Sequence, residues 1–393
     1  MPNSESNMTY AEAKERVMAT PQFSTTATLS RIKQLLAELG NPEHALRIIH
    51  VAGTNGKGST TAMLASVLQS AGYRTGAFFS PYVVTFRERI AVDNTLISRD
   101  AFARLAARVL AIADAQADAP NFFEIITAIA LLYFAECKCD FVVLETGLGG
   151  RLDATNAIPT PVLAVLTPIS LDHMQYLGET IPQIAGEKCG IIKPGSLVVS
   201  AVQTEDAMQV ISETCRKRSC PLRISALAES IHCSITGSTF SYKGLPVSIG
   251  LLGRHQIENA VTVLEAVFAL RTLGYAISDA ALTRGLAGAV LPARLEVLST
   301  SPLCILDGAH NLAGIAALTG FLSEFLSGRR IVTVFGAMQD KAHDEMVRQI
   351  AAVSSAMVLT QPSSPRSCTP KSLCAEAEIY CPQVFCVPDV LEA

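Results

Sequence analysis

The chain carries no excess of basic residues: 17% of its 393 residues are charged and the formal net charge is −4. That balance argues against a nucleic-acid-binding role. Long apolar runs are missing too, and the longest stretches, such as residues 128–135, fall far short of a bilayer span. Residues 1–19 are polar and charged, so no secretory signal is expected there. There are 11 cysteines but no C-x-x-C pair. Neither Cys137 with Cys139 nor the late group Cys368, Cys374, Cys381 and Cys386 has zinc-ligand spacing. Buried or free thiols of a cytoplasmic protein are expected. No fixed-period repeat or low-complexity segment interrupts the chain. What remains is the composition of an ordinary globular enzyme, long enough for two domains or three.

Against that background one segment stands out. Residues 47–51 form a short apolar run that reads as a strand, and residues 61–72 read as a helix. Between them lies Gly53-Thr54-Asn55-Gly56-Lys57-Gly58-Ser59. Strand, Gly-rich turn with one lysine, helix start: this is a phosphate cradle, in which backbone N–H groups and the helix dipole face the anion and Lys57 adds charge. A nucleoside triphosphate is the expected ligand. The usual pattern is G-x-x-x-x-G-K-[ST]; here Val51 stands five before Gly56, and Gly58 separates Lys57 from the hydroxyl of Ser59.

The first part of the chain alternates strands and helices. Residues 98–117 are amphipathic, with Phe102, Leu105, Val109 and Ile112 on one face and Ser98 as cap. Residues 124–138 read as a more apolar helix. Residues 141–144, 162–166 and 197–202 are continuous apolar runs of the kind that form central parallel strands. Residues 231–250 alternate between Gly turns and suggest antiparallel strands beside the main sheet. Helices follow at 256–273 and 279–289, and Pro292-Ala293-Arg294 reads as a linker. A second α/β alternation then begins, with strands at 303–306, 330–335 and 356–360 and a helix at 313–326. The expected architecture is therefore α/β: a mostly parallel P-loop ATPase domain over 1–292, then a smaller Rossmann-like domain over 293–393.

Several polar residues fall at strand ends, where open α/β sheets bind ligands. Glu145, just past the run 141–144, is placed to hold Mg²⁺ near a phosphate loop, or serves as a turn acid bonded to the Gly-rich backbone after it. His173 follows the next strand and either shares that site or is structural. Lys188 and Lys193, near a helix end, are most simply cations favoured by the helix dipole. Asp307 and His310 repeat the strand-then-polar-turn pattern and either face a ligand or belong to an ordinary hinge turn.

Taken together, these segments resemble the folylpolyglutamate synthase and dihydrofolate synthase family, part of the Mur-ligase-like group. The resemblance runs from about Ser30 to at least Lys341. It rests on His50 to Thr60, Ser80-Pro81 through Glu88-Arg89-Ile90, Phe123-Glu124, Glu145 to Asn156, and Leu171-Asp172-His173. Further on it includes Glu187 to Gly195, Gly253-Arg254-His255-Gln256, Arg294-Leu295-Glu296 and Asp307 to Asn311. It implies that ATP phosphorylates a carboxylate of a pteroate or folate and that L-glutamate then attacks the acyl phosphate to form an amide.

By the same resemblance the loop from Gly53 to Ser59 holds ATP, with Lys57 on its phosphates. Ser80 and Glu145 look like ligands of a first Mg²⁺, with His173 at a second. Lys188 matches a lysine that is carbamylated in the family, which overrides the helix-dipole reading. Lys57, Lys188 and His173 are then the catalytic set. Asn259, Arg294, Asp307 and His310 look like nucleotide contacts brought together when the second domain closes. Asn121, Phe123 and Asp153 correspond to acceptor-pocket positions. Small-molecule substrates, a cytoplasmic monomer, no membrane and no nucleic acid are implied.

The chain also departs from the family pattern. Tyr82 and Thr85 stand where His and Arg are usual, Arg87 is an added cation, Asn121 stands where Thr is common, and Cys189 replaces Ala. After Val387-Pro388-Asp389 the family continues with a helix and a strand, whereas this chain ends at Ala393, so a shortened second domain is expected. The alternatives are a Mur-like ligase for another carboxylate, or a weakened nucleotide- or folate-binding relative.

Overall fold

A computed structural model describes residues 8–22 and 26–393; the polar start over residues 1–7 lies outside them. The chain forms two compact units. The first comprises residues 1–231, 239–250 and 256–291, and the second 232–238, 251–255 and 292–393. Among the described residues no helix is long and apolar enough to cross a membrane.

The first unit is built on an eight-stranded sheet. Its strands are β1 (Ile48–Ala52), β2 (Thr75–Phe78), β3 (Ile90–Val92), β4 (Thr95–Leu96), β5 (Phe141–Glu145), β6 (Leu163–Leu166), β7 (Leu197–Ser200) and β8 (Leu222–Ile224). The order is β4-β3-β2-β5-β1-β6-β7-β8. From β2 to β8 the neighbours run parallel; β3 and β4 add an antiparallel edge. Every residue of β1 and β5 is buried, as their mostly apolar sequences, broken only by His50 and Glu145, require when helices cover both faces. The chain leaves β1 for β2 on one side of it, and β6 lies on the other. The carboxyl end of β1 is thus a topological switch point, the place where such sheets open a crevice for ligands. The register sets Glu145 beside Val51 and Leu166 beside Ala52, so the ends of β5, β1 and β6 share one edge.

Two helices cover this edge's neighbourhood. One runs Lys57–Ser70, with Ser59 to Leu68 all buried. It begins four residues earlier than the apolar pattern suggests, because Gly56 adopts a left-handed φ of 83° and turns the chain directly into the first turn. The other, Phe122–Glu136, starts at Asn121, whose side chain accepts Glu124 N–H in a reciprocal capping box. Glu124 also receives the buried Arg31 guanidinium at 3.1 Å, so Asn121 anchors a helix start. The helix read at 98–117 runs Arg99–Ala113 with Ser98 as its cap. Strands β9 (Glu229–Ser234), β10 (Gly237–Tyr242) and β11 (Leu245–Ile249) form a separate three-stranded sheet.

In the second unit, β12 (Glu296–Thr300) and β13 (Leu303–Leu306) pair antiparallel. The run 303–306 therefore belongs to a hairpin rather than to the parallel alternation expected for it: Ser301 and Pro302 are too few residues for a crossover. Strands β14 (Val332–Phe335), β15 (Ala356–Leu359) and β16 (Val384–Cys386) form a parallel sheet over a core that includes Met346, Val347, Met357, Leu359 and Leu373. Cys374 and Cys386 form a disulfide, a pairing that their spacing does not suggest, because the helix Pro370–Tyr380 and the return strand β16 bring them together. The segment 292–294 is no loose linker. Ala293 and Leu295 hold left-handed φ of 53° and 48°, Ala293 N–H reaches Glu296 at 2.8 Å, and Ala293 O accepts Gly308 N–H at 2.9 Å. Residues with a side chain tolerate such φ values only where the surroundings impose them.

Candidate active site

The phosphate loop hangs from β1 and is braced from β6. Thr54 and Asn55 N–H groups both donate to Pro168 O, at 2.9 and 3.3 Å. Thr54 Oγ1 exchanges hydrogen bonds with the Ser170 backbone, 3.0 Å each way. Two amides expected to face an anion are therefore turned into the protein. The helix start faces it in their place. Its first intrahelical bond is Thr60 N–H to Gly56 O, so the N–H groups of Lys57, Gly58 and Ser59 precede it and point along the axis at the positive end of the dipole. Lys57 Nζ reaches back to Thr54 O at 3.1 Å.

Gly56 is required twice over. Its φ of 83° is left-handed, and a Cβ there would lie 2.1 Å from Asn259 Oδ1, which places Asn259, buried on the helix Arg254–Thr272, against the loop. Gly72 has a similar φ of 91° but open space around it. Gly56→Ala is expected to weaken ADP binding at least tenfold by calorimetry. Gly72→Ala should leave ADP affinity unchanged and only lower stability by about 1–2 kcal/mol.

Glu145 lies at the other side of the helix start. Its Oε2 accepts Ser80 N–H at 3.2 Å, and a Cβ on Gly58 would stand 3.6 and 3.9 Å from its two carboxylate oxygens. The loop helix, Ser80 and Glu145 thus converge. Among the described residues no three His, Cys, Asp or Glu side chains gather as a metal cage. A Glu and a Ser hydroxyl beside a phosphate site is nonetheless a donor set suited to Mg²⁺, which takes one or two protein oxygens and completes its shell with phosphate and water. His173 caps the N-terminus of the short helix Met174–Leu177 with φ 50°; its Nε2 is 4.0 Å from Asp172 Oδ2.

Lys188 lies beneath the loop. It ends the helix Ile181–Lys188, is 4% exposed, and its Nζ donates to Gly53 O at 2.7 Å. Burial first, and then the Lys57 cation, pull its pKa down to about 7, with Asp172 and Asp153 opposing. A buried amine poised at neutrality is an unusual group for a helix end, where the dipole alone would keep it charged.

Of the positions expected in the acceptor pocket, Phe123 stacks obliquely on Phe78 at 5.8 Å and abuts Gly147, where a Cβ would be 2.5 Å from its ring. Asp153 is buried and accepts Leu148 N–H at 2.7 Å and Thr155 N–H at 3.0 Å. Burial raises its pKa and these hydrogen bonds counter the rise.

With the geometry in hand, similarity to known proteins decides the family. The profile of the Mur ligase middle domain matches residues 51–267, and that of the Mur ligase, glutamate ligase domain matches 293–393. A dihydrofolate synthase/folylpolyglutamate synthase of Bacillus subtilis is 40% identical over 390 residues, covering 94% of this chain and 89% of the relative. The chain belongs to the folylpolyglutamate synthase and dihydrofolate synthase family. A Mycobacterium tuberculosis folylpolyglutamate synthase solved with ADP superposes with a TM-score of 0.88 at 30% identity, over 96% of this chain and 88% of that one. Escherichia coli FolC in complex with DHPP and ADP gives 0.86 at 28% identity, over 100% and 91%.

Within the second unit of this family member, Asp307 Oδ2 accepts Leu295 N–H and Oδ1 accepts Ala309 N–H, both at 2.8 Å. Its carboxylate braces the turn. Arg294 Nη1 donates to Ala293 O at 2.9 Å, and His310 Nδ1 lies 2.9 Å from Gly308 O. The three side chains gather on one pair of turns.

One further residue, part of the Glu88-Arg89-Ile90 motif, has a setting that the sequence does not show. Arg89 is 7% exposed, its guanidinium carbon lies 5.3, 5.8 and 5.4 Å from the ring centres of Tyr82, Phe86 and Phe122, and among the described residues its Nε and Nη1 meet no hydrogen-bond partner. Burial lowers its pKa, while Tyr82 and Glu145 pull it up. A buried cation walled by aromatics whose donors lack a protein partner is an arrangement that calls for an explanation. Only the third dimension reveals the walls, since Tyr82 and Phe122 are 40 positions apart in the sequence. Nearby, Glu88 accepts the N–H groups of Val83, Val84 and Thr85 at 2.8, 3.0 and 2.6 Å and so holds the exposed Val83-Val84 segment in place.

Proposed function

We propose that the protein uses ATP to join L-glutamate to dihydropteroate, to the γ-carboxylate of a reduced folate, or to both, by way of an acyl phosphate, and releases ADP and phosphate. The observation that carries this reading is the convergence of the Lys57 helix start with Glu145 and Ser80 at one switch-point crevice. The helix-start N–H groups and Lys57 bind and orient the nucleotide phosphates. Ser80 and Glu145 would hold Mg²⁺ and His173 a second ion, and the chemistry such ions would supply there is neutralisation of phosphate charge. Asn259 contacts the nucleotide from beside the loop. The nucleotide roles of Arg294, Asp307 and His310 rest on the family resemblance. Phe123 offers a flat apolar face to a pterin ring, and the family resemblance assigns Asn121 and Asp153 to the same pocket.

Lys188 is suited to carbamylation. Only a neutral amine reacts with CO₂, and a pKa near 7 leaves much of it neutral. The product would replace a cation crowded by Lys57 with an anion that offsets it.

Arg89 supplies what this chemistry also needs, a receptor for a carboxylate on a substrate with an aromatic body. Arg89→Met is expected to raise the KM for a carboxylate-bearing substrate about 10- to 100-fold, the range for losing a charge-assisted hydrogen bond, with the KM for ATP within twofold. An unchanged KM for both acceptor and glutamate would remove Arg89 from the site.

The reading as a whole is tested by ADP release. Purified protein with Mg-ATP and L-glutamate is expected to form ADP with dihydropteroate, tetrahydrofolate or both, and none when glutamate is omitted. No ADP with either acceptor would overturn it.

A further inference from the structure

Beneath the turn that follows β5 lies a chain of side chains that neither the phosphate loop nor the Ser80–Glu145 pair uses. His50, in the middle of β1, is fully buried, and its Nε2 is 2.8 Å from Thr155 Oγ1. The Thr155 hydroxyl also bonds to Asp153 Oδ1, which takes Thr155 N–H as well. Asp153 Oδ2 takes Leu148 N–H.

Counting hydrogens fixes the direction of the chain. A hydroxyl has one hydrogen to give, and a carboxylate has none. With the Thr155 hydrogen given to Asp153, Thr155 Oγ1 meets His50 as an acceptor, so the ring hydrogen sits on Nε2. Among the described residues His50 Nδ1 is a buried nitrogen with no partner, as suits the bare nitrogen of a neutral ring; a second N–H there would be stranded at a cost of about 1–3 kcal/mol. Burial, and then the Lys193 cation, hold the His50 pKa down at about 3, which agrees with that count. Lys193 itself is tied to the same segment through Asn156 O at 2.9 Å.

We propose that His50 and Thr155 are positioning residues for acceptor recognition: the His50 Nε2–H···Thr155 Oγ–H···Asp153 chain locks the Asp153 carboxylate and the Leu148–Asp153 turn in the orientation that reads the heterocycle of a pteroate- or folate-type acceptor. The inference rests on the assignment of Asp153 to the acceptor pocket. Its physical content is preorganisation. Thr155 N–H alone pins one carboxylate oxygen, whereas the hydroxyl, held in turn by His50, ties the acceptor turn to the rigid strand that leads into the phosphate loop. The two substrates are then referenced to one strand.

The test uses the full chain and four variants, with KM measured for dihydropteroate or tetrahydrofolate and for ATP. Thr155→Val keeps the shape and removes the hydroxyl. It is expected to raise the acceptor KM about tenfold, with kcat at saturating acceptor and the KM for ATP within twofold. Thr155→Ser should restore the wild-type value. His50→Gln, which keeps a donor near the Nε2 position, should stay within about threefold. A Thr155→Val acceptor KM within twofold of wild type, alongside an Asp153→Ala KM raised tenfold or more, overturns the relay. An Asp153→Ala acceptor KM equal to wild type overturns the pocket assignment beneath it. Nitrogen NMR of the wild-type protein gives a reading free of any variant's folding: His50 is expected as the neutral Nε2–H tautomer from about pH 5.5 to 8.5, and a cationic or Nδ1–H ring would contradict the chain.

Discussion

Lys57→Ala is expected to lower ATP-dependent turnover about 100- to 1,000-fold, the range seen when one preorganised electrostatic stabiliser is removed from a site of developing charge. The helix-start N–H groups remain, so ADP binding should weaken far less than turnover falls. A second consequence follows from the crowding of two amines. Lys57 is one of the causes that depress the Lys188 pKa, so its removal is expected to raise that pKa. The check is steady-state ADP release together with a titration of Lys188 by carbon NMR of labelled lysine. Turnover within tenfold of wild type would place the phosphates elsewhere.

Lys188→Met carries the other large effect, and it has two signs. Turnover is expected to fall at least 100-fold, since the residue beneath the phosphate loop would lose its amine and with it the proposed carbamate. Stability is expected to move the opposite way. An amine whose pKa is 10.5 in the unfolded chain and about 7 in the fold binds its proton more weakly when folded. Stability therefore rises with pH between those two values and is lowest below pH 7, where the penalty is on the order of 5 kcal/mol. Methionine removes the penalty but leaves Gly53 O without its donor, a loss of about 1–3 kcal/mol. The expected result is a higher Tm than wild type at pH 6, with a gain that shrinks toward pH 9. A Tm that falls equally at both pH values would show that the amine is not held near neutrality. With ¹³C-bicarbonate, wild type is expected to show a carbamate signal that this variant lacks.

The sequence makes the architecture of the first unit legible for a plain reason. Its central strands are buried on both faces and so carry unbroken apolar runs, and the phosphate loop is local in the chain. Glu145 and His173 stand out in the sequence because each comes at or after the end of such a run, and Asp307 because it follows the shorter run 303–306. What stayed hidden depends on contacts between distant segments. The Thr54 and Asn55 amides turn inward because Pro168 lies across from them. Asp307 spends both oxygens on backbone N–H groups from two separate turns. The hairpin of β12 and β13 took a run that reads equally well as a parallel strand, and the apparent linker at 292–294 is pinned by Glu296 and Gly308. Arg89 became a candidate only when three aromatic rings from two segments closed around it. His50 looked like part of a strand because it is one; its partner Thr155 is 105 residues away.

The central claim is that a carboxylate of the acceptor is phosphorylated by ATP before glutamate attacks it. Acceptor labelled with ¹⁸O in the reacting carboxylate tests this most directly. One labelled oxygen is expected in the inorganic phosphate for each amide formed. Amide formed with no label in the phosphate would contradict the account.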